Sequence, residues 1–189
     1  MKIFKKVLFI CALFGYATLF SWKNTLLHSL KHDIRSHLLK NIKQEVAYAG
    51  KKIRKIYCAM YVLSDQVIFK ALVDAQRAGV ELEIILDESS FKNSFGKARA
   101  LTREGIAFYL FEPNPEEYIK TLMHLKLFLF QAQGLSWHGS YNCSKNAAEK
   151  NTELVITSDD PELFQDLVTL FEQLKQHVHV KFIPGIQQD

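Results

Sequence analysis

Cysteine is scarce in this sequence, and its scarcity excludes two classes of protein. The 189 residues contain three cysteines, Cys11, Cys58 and Cys143, which are too few for a disulfide-stabilised scaffold. None belongs to a CxxC pair, so the usual ligand spacing of a structural zinc site is missing as well. The sequence leaves open whether Cys58 and Cys143 lie close enough to form a disulfide.

An excess of charge of one sign is also missing from the body of the chain. The formal net charge is +4, but three of the lysines lie within the first six residues, and without them the net charge is near +1. This excludes a histone-like polycation, so any contact with nucleic acid or anionic lipid must come from a local patch. With 48% hydrophobic and 23% charged residues and no internal repeat, the chain has the composition of one globular domain.

Long apolar runs are limited to one segment at the N-terminus. Residues 7–22 carry no charge and follow the basic sequence MKIFKK. Sixteen helical residues span about 24 Å, less than the roughly 30 Å of a hydrocarbon core, so residues 1–22 are predicted to be either a signal peptide or a signal-anchor transmembrane segment. A buried core helix is the third alternative. The signal peptide and the signal anchor both imply a protein that is exported to the periplasm or cell envelope. In the second case residues 7–22 would anchor it in the membrane.

The remainder of the chain alternates between strand-like and helix-like patterns. Apolar residues spaced by three and four predict an amphipathic helix over residues 24–49, within a helical lead-in over residues 23–52. The predicted strands span residues 53–62, 80–86, 106–111, 121–130, 135–137 and 152–157. Further helices are predicted to begin at Asp65, Ser94 and Asp160. This alternation predicts an α/β fold with a layered and partly parallel sheet, which forms one domain over residues 53–189.

The polar residues that suggest chemistry lie between residues 123 and 157. In HLKLFLF the side chains of a strand alternate, so His124 and Lys126 share one face. A buried lysine is unfavourable unless an anion meets it. Ser140 and Asn142 follow the next strand as hydrogen-bond donors, and Glu153 opens a third strand within reach of His124. Such a set of groups is suited to phosphoryl transfer without a metal.

The order H-x-K, then G-S-x-N, then N-x-E resembles the HKD motif of the phospholipase D superfamily, whose pattern is HxKxxxxD, GSxN and a downstream Glu. The resemblance covers about residues 53–175 and implies a layered α-β-α sandwich with a mixed β-sheet. Because the sequence holds one such motif, it is similar to the single-motif branch, which contains exported bacterial endonucleases and mitochondrial cardiolipin hydrolases. The cysteine-rich zinc insertion of the mitochondrial group is missing, so the bacterial type is closer.

The resemblance assigns a role to each polar residue. His124 is the nucleophile in one subunit and the acid for the leaving group in the other, so the active site is shared by a homodimer. Lys126 and Asn142 hold the phosphate oxygens with support from Ser140. Glu153 accepts a hydrogen bond from the ring of His124. The implied reaction passes through a phosphohistidine and uses no metal and no cofactor.

One residue departs from the pattern, because the motif aspartate falls on Gln131. Three functions follow as hypotheses. The favoured one is an endonuclease, the alternative is a phospholipase D or cardiolipin hydrolase that acts on membrane phospholipid, and the second alternative is a degenerate scaffold that has lost activity through Gln131. Two further residues carry expectations: His138 is predicted to be a solvated turn residue rather than part of a cleft, and Asp87 to cap or brace a loop.

Overall fold

The computed structural model describes residues 22–92, 94–111, 122–176, 178 and 180–182. Its strands are β1 (Asn24–His28), β2 (Lys55–Met60), β3 (Glu81–Asp87), β4 (Phe108–Phe111), β5 (Lys126–Phe130), β6 (Leu135–Gly139), β7 (Leu154–Ser158) and β8 (Val180–Phe182). Its helices are α1 (Ile34–Val46), α2 (Gln66–Arg77), α3 (Ser89–Lys92), α4 (Ala98–Arg103), α5 (Lys145–Glu149) and α6 (Pro161–Gln176).

The strands form one mixed eight-stranded sheet in the order β1-β7-β6-β5-β2-β3-β4-β8. The pairs β2–β3 and β3–β4 are parallel, and the remaining neighbours are antiparallel. In the parallel part the chain returns through α2 and through α3 and α4, which is the crossover that parallel strands require. The fold is therefore the predicted α/β sandwich with a mixed sheet.

Two apolar cores lie on opposite faces of the sheet. The larger core joins α1 and α2 to the sheet, and the smaller core lies beneath α6, whose Phe164 and Phe171 are buried against β2 and β5. Leu127 and Leu129 belong to the smaller core, whereas Phe128 belongs to the larger one. The alternation predicted for β5 is confirmed because successive side chains of a strand point to opposite faces.

The helix predicted for residues 24–49 is wrong over its first part. Residues 24–28 form β1, which pairs with β7, and the helix begins at Ile34 after Asp33, whose carboxylate accepts the N–H of Ser36 at 3.0 Å. Leu27 of β1 and Leu38 of α1 both enter the larger core. Residues of the predicted lead-in therefore pack in the same core as residues after position 53.

Several other elements differ in extent from their predictions. β5 begins at Lys126 rather than at residue 121, and α4 begins at Ala98 with Lys97 at its N-cap rather than at Ser94. β8 and the short α3 were not predicted. In contrast, Asp65 caps α2 as predicted, because its carboxylate accepts the N–H groups of Val67 and Ile68.

The predicted signal or anchor lies outside the described residues, apart from Trp22. Among the helices that the structure does describe, none combines the length and the hydropathy needed to cross a bilayer. Cys58 and Cys143 are both buried free thiols. Burial raises the pKa of each thiol.

Candidate phosphodiester-cleaving site

His124 and Lys126 lie at the edge of the sheet where β5 begins. The imidazole of His124 is exposed, whereas Lys126 is only 5% exposed. The Lys126 ammonium donates to the backbone oxygen of His124 at 2.7 Å and lies 4.9 Å from the centre of the Tyr61 ring. That ring also contacts the imidazole, with ring centres 4.7 Å apart. The site thus pairs an accessible imidazole with a largely buried cation.

Ser140 and Glu153 meet where β6 ends and β7 begins. The Ser140 hydroxyl donates to one oxygen of the Glu153 carboxylate, and Asn151 donates to the other at 3.0 Å. The Ser140 hydroxyl also accepts the N–H of Leu154 at 3.0 Å. Glu153 is 6% exposed, so these hydrogen bonds satisfy a buried charge.

The expected hydrogen bond from His124 to Glu153 is not formed within the described chain, where Ser140 and Asn151 are the donors to that carboxylate. A further partner comes from the N-terminal region. Ser29 follows β1, and its hydroxyl accepts the Glu153 N–H at 2.9 Å and donates to the backbone oxygen of Asn151 at 3.1 Å. The sequence carried no signal for Ser29, because it lies more than a hundred residues from Glu153.

Gly139 is required for close packing rather than for an unusual backbone angle. A Cβ atom at this position would overlap the carbonyl oxygen of Leu154. Its φ is not among the positive values found for other glycines in the chain. The glycine of the GSxN motif therefore lets β6 and β7 approach closely enough for Ser140 to reach Glu153.

Asn142 is half-buried, and its side-chain oxygen is buried without a hydrogen-bond partner in the described part of the protein. Buried amide oxygens are normally paired, so an unpaired one beside Ser140 is suited to a ligand. The oxygen and nitrogen of an amide exchange by a simple flip, so the same group can present a donor to an anion.

Two carboxylates influence the charge of Lys126. Burial lowers the pKa of Lys126, and the negative charges of Glu153 and Asp87 oppose that shift. Asp87 ends β3 and is 1% exposed. It accepts the N–H groups of Ser89 at 2.9 Å and Met123 at 3.0 Å, so the prediction that it braces a loop is confirmed.

His138 is not the solvated turn residue that was predicted. It is half-buried on β6, opposite Leu127 of β5, and its Nδ1 is buried without a partner in the described structure. Burial lowers its pKa. His138 and His124 line the same cavity of about 260 Å³, together with Leu167 and Leu170 of α6. His138 is half-buried because β6 is an interior strand of the sheet and its side facing α6 is partly covered.

Gln131 lies at the opposite end of β5 from this site. At about 3.3 Å per residue, the five residues from Lys126 correspond to roughly 16 Å. The Gln131 N–H donates to the backbone oxygen of Lys55 at 2.9 Å, at the start of β2. The departure from the family pattern therefore affects the far end of the strand and not the groups around His124.

The structure brings His124 together with Lys126 and Ser140 together with Glu153, and Asn142 follows Ser140 by two residues. No group of three or more His, Cys, Asp or Glu side chains within the described ranges is arranged to hold a metal ion. Asp87, Ser29 and Asn151 complete the surroundings of these residues.

The model of the family described as "Cardiolipin synthase, PLD-like domain" matches residues 42–175. Among curated proteins, a phospholipase D of Rickettsia bellii is 33% identical over 108 residues, which are 57% of this chain and 50% of that protein. A phospholipase D of Rickettsia conorii is 32% identical over 113 residues, 60% of this chain and 53% of that protein. The chain thus spans about half the length of the curated relatives it matches.

Two solved structures share the fold over nearly their full length. Nuc of Salmonella typhimurium, a phospholipase D family member, superimposes with a TM-score of 0.70 at 20% identity, over 86% of this chain and 99% of Nuc. NucT of Helicobacter pylori gives a TM-score of 0.69 at 21% identity, over 84% of this chain and 98% of NucT. With the family model covering most of its length, the chain belongs to the phospholipase D-like family.

Proposed function

We propose that this protein is a metal-independent phosphodiesterase that works through a phosphohistidine. The observation that carries the proposal is the burial of Lys126, whose ammonium has no ion-pair partner within 4 Å among the described residues and lies beside the exposed His124. A buried cation that is not in direct contact with a carboxylate is stabilised when an anion binds against it. A phosphodiester carries one negative charge and two non-bridging oxygens, which suits Lys126 and the amide of Asn142.

The proposed reaction has two steps at phosphorus. In the first step, a ring nitrogen of His124 bonds to phosphorus, the bond to the leaving oxygen breaks, and a second, protonated imidazole gives that oxygen a proton. In the next step, water attacks the phosphohistidine, the second imidazole takes a proton from the water, and His124 is released. The second imidazole must differ from His124, because one ring cannot attack phosphorus and protonate the opposite side of it.

For the substrate, we propose nucleic acid. The single motif, which resembles that of the exported bacterial endonucleases, supports this choice, and Nuc and NucT share the fold over nearly their whole length. Phospholipid is the second candidate, and a specific observation favours it: apolar side chains of Leu125, Leu167 and Leu170 line the cavity that also contains His124. The matched relatives from Rickettsia carry the name phospholipase D.

One assay separates the substrates. The purified full chain is incubated in excess EDTA with DNA, RNA and cardiolipin vesicles in parallel, next to a His124→Ala variant. We expect cleavage of nucleic acid by the wild type, no cleavage by the variant, and no loss of rate with EDTA. Cleavage of cardiolipin alone favours the second candidate, and a wild type that cleaves none of the three contradicts the proposed activity.

We further propose that two copies share one active site, so that His124 of the second copy is the acid. An apolar surface beside the site supports this arrangement. Leu26 of β1 lies opposite Ile156 of β7, and Leu154 directly follows Glu153; all three side chains are exposed. A two-fold dimer would bury this surface against itself.

Random mixing tests the shared site. Wild-type and His124→Ala chains are unfolded together in equal amounts, refolded and assayed. If both histidines are needed in each shared site, about one quarter of the assembled dimers are active, whereas independent sites retain about half of the wild-type rate. A rate proportional to the wild-type fraction contradicts the shared site.

A surface substitution tests where the copies meet. We expect Ile156→Asp to produce an inactive monomer, because the charge would be buried in the dimer. Ile53→Asp is the matched control, since Ile53 is also exposed but precedes β2 at the opposite end of the sheet. The oligomeric state is measured by analytical ultracentrifugation. A dimeric, active Ile156→Asp variant excludes this surface.

We also propose that the protein is exported, with residues 7–22 as a signal or anchor. The support is the uncharged run between Lys6 and Lys23. Fusion of residues 1–30 to an alkaline phosphatase that is active only outside the cytoplasm should give activity, and a fusion without residues 1–21 should not. An inactive first fusion contradicts export.

A further inference from the structure

A buried carboxylate lies at each end of β5, and each comes from another element of the fold. At the far end Glu45 of α1 accepts the N–H of Ala132 at 2.8 Å. At the site end Asp87 of β3 accepts the N–H of Met123 at 3.0 Å. Glu45 is fully buried and Asp87 is 1% exposed. The family pattern of histidine, lysine, serine, asparagine and glutamate includes neither of them.

We propose that Asp87 is a positioning residue for the reaction: it holds the backbone next to His124 and keeps Lys126 charged. This inference rests on the proposed function, since it concerns the same reacting groups. Asp87 does not touch the substrate in this scheme, and it acts through Met123 and Lys126.

The hydrogen bonds around His124 support the first part of the proposal. On its N-terminal side the Met123 N–H is held by Asp87, and on its C-terminal side the Leu125 oxygen accepts the Tyr61 N–H at 2.9 Å. His124 therefore lies between two anchored backbone groups, although it precedes the first residue of β5. Removal of one anchor lets the imidazole move relative to phosphorus, and a displacement of about 1 Å is enough to slow a reaction on the order of a hundredfold.

The charges around Lys126 support the second part. Met60 of β2 pairs with Lys126 on one side and with Leu86 on the other, so Asp87, the next residue of β3, lies at the same end of the sheet as Lys126. Glu153 acts from the start of β7, and the imidazoles of His124 and His138 line the same cavity as Lys126. Burial lowers the pKa of Lys126 and the two carboxylates oppose that shift. Without Asp87, Glu153 is the remaining carboxylate near Lys126 in the described structure, so Lys126 loses its proton at a lower pH.

The test compares Asp87→Asn with Glu45→Gln. Ser89 and Met123 donate to different oxygens of Asp87, so asparagine, which has one carbonyl oxygen and no charge, loses one of the two hydrogen bonds. We expect kcat to fall on the order of 10- to 100-fold, and the pH at which labelled Lys126 loses its proton, followed by NMR, to fall as well. Glu45→Gln is the matched control, because it removes an equally buried carboxylate from the far end of β5. With rates normalised to the folded fraction, Glu45→Gln should keep the wild-type kcat and the wild-type titration of Lys126.

Asp87→Glu separates the two parts of the role and serves if Asp87→Asn does not fold. Glutamate keeps the charge but moves the carboxylate away from Met123, so kcat should fall while the titration of Lys126 stays in place. The inference is overturned if a folded Asp87→Asn keeps both kcat and the wild-type titration of Lys126, or if Asp87→Glu keeps the wild-type kcat. An inactive wild type overturns the proposed function instead; the titration of Lys126 in the Asp87 variants then still tests the charge effect.

Discussion

Replacement of Glu45 by glutamine should destabilise the fold by about 2–4 kcal/mol. One carboxylate oxygen accepts the N–H groups of Lys55 at 3.0 Å and Ala132 at 2.8 Å. The other oxygen accepts the backbone N–H of Gln133 at 3.3 Å and its side-chain amide at 3.0 Å. Glu45 thus connects α1 by hydrogen bonds to the start of β2 and to the turn between β5 and β6.

The magnitude follows from what glutamine can replace. The side-chain oxygen of glutamine can still accept from one pair of N–H groups. Its NH₂ group faces the other pair, and since both sides are then donors, no hydrogen bond forms there. Two lost hydrogen bonds to a charged acceptor cost about 3–6 kcal/mol, and relief from burying a charge offsets part of that sum. For a chain of this size the net loss corresponds to a Tm lower by roughly 5–15 °C.

Urea unfolding followed by the fluorescence of the fully buried Trp137 measures this loss. Glu81→Gln is the control, because Glu81 contacts Lys55 at the same end of the sheet but is exposed. An exposed ion pair contributes about 1 kcal/mol or less. Equal and small losses in the two variants would refute the reasoning about Glu45.

Three other predictions concern the site. His124→Ala should abolish activity without unfolding the protein, because the leucines of β5 pack in the core and the exposed imidazole does not. Activity is measured on the substrate that the wild type cleaves. A folded variant with more than a few per cent of wild-type activity contradicts the assignment. Gln131→Asp should change kcat by less than about tenfold, because position 131 is at the far end of β5; a large gain would show that the natural chain is degenerate. Because burial lowers the pKa of Lys126, its ammonium should lose its proton below the ordinary lysine value of about 10.4 when it is followed by NMR of labelled lysine; the assigned signal should be missing in Lys126→Arg, and titration at or above the ordinary value contradicts the expected environment.

The position of Gln131 bears on the hypothesis of a degenerate scaffold. The motif aspartate of the family is replaced at the end of β5, where Glu45 already places a buried carboxylate against the next two residues, Ala132 and Gln133. Lys55, whose backbone oxygen accepts the Gln131 N–H, is paired with Glu81 and Glu83 at 3.0 Å each. The charge of Lys55 is therefore already neutralised by two carboxylates, and among the described residues the lysines that line the cavity beside Gln131 without such pairs are Lys51 and Lys52.

The features that sequence alone determined are those that depend on neighbouring residues. The alternation in β5 placed Leu127 and Leu129 on one face and Phe128 on the other, because the period of two is built into an extended backbone. The cap of α2 by Asp65 is equally local, since the carboxylate bonds N–H groups two and three residues ahead. The order of the motifs also sufficed to indicate the family and the five candidate site residues.

Tertiary structure decided what depends on partners far along the chain. Residues 24–28 have helix-compatible spacing, but they form a strand because β7 offers backbone partners to them more than a hundred residues later. For the same reason the sequence could not show that Glu153 pairs with Ser140, or that Asp87 holds Met123 next to His124. Local spacing sets which face a side chain occupies, whereas its hydrogen-bond partners are set by which distant segments the sheet brings together.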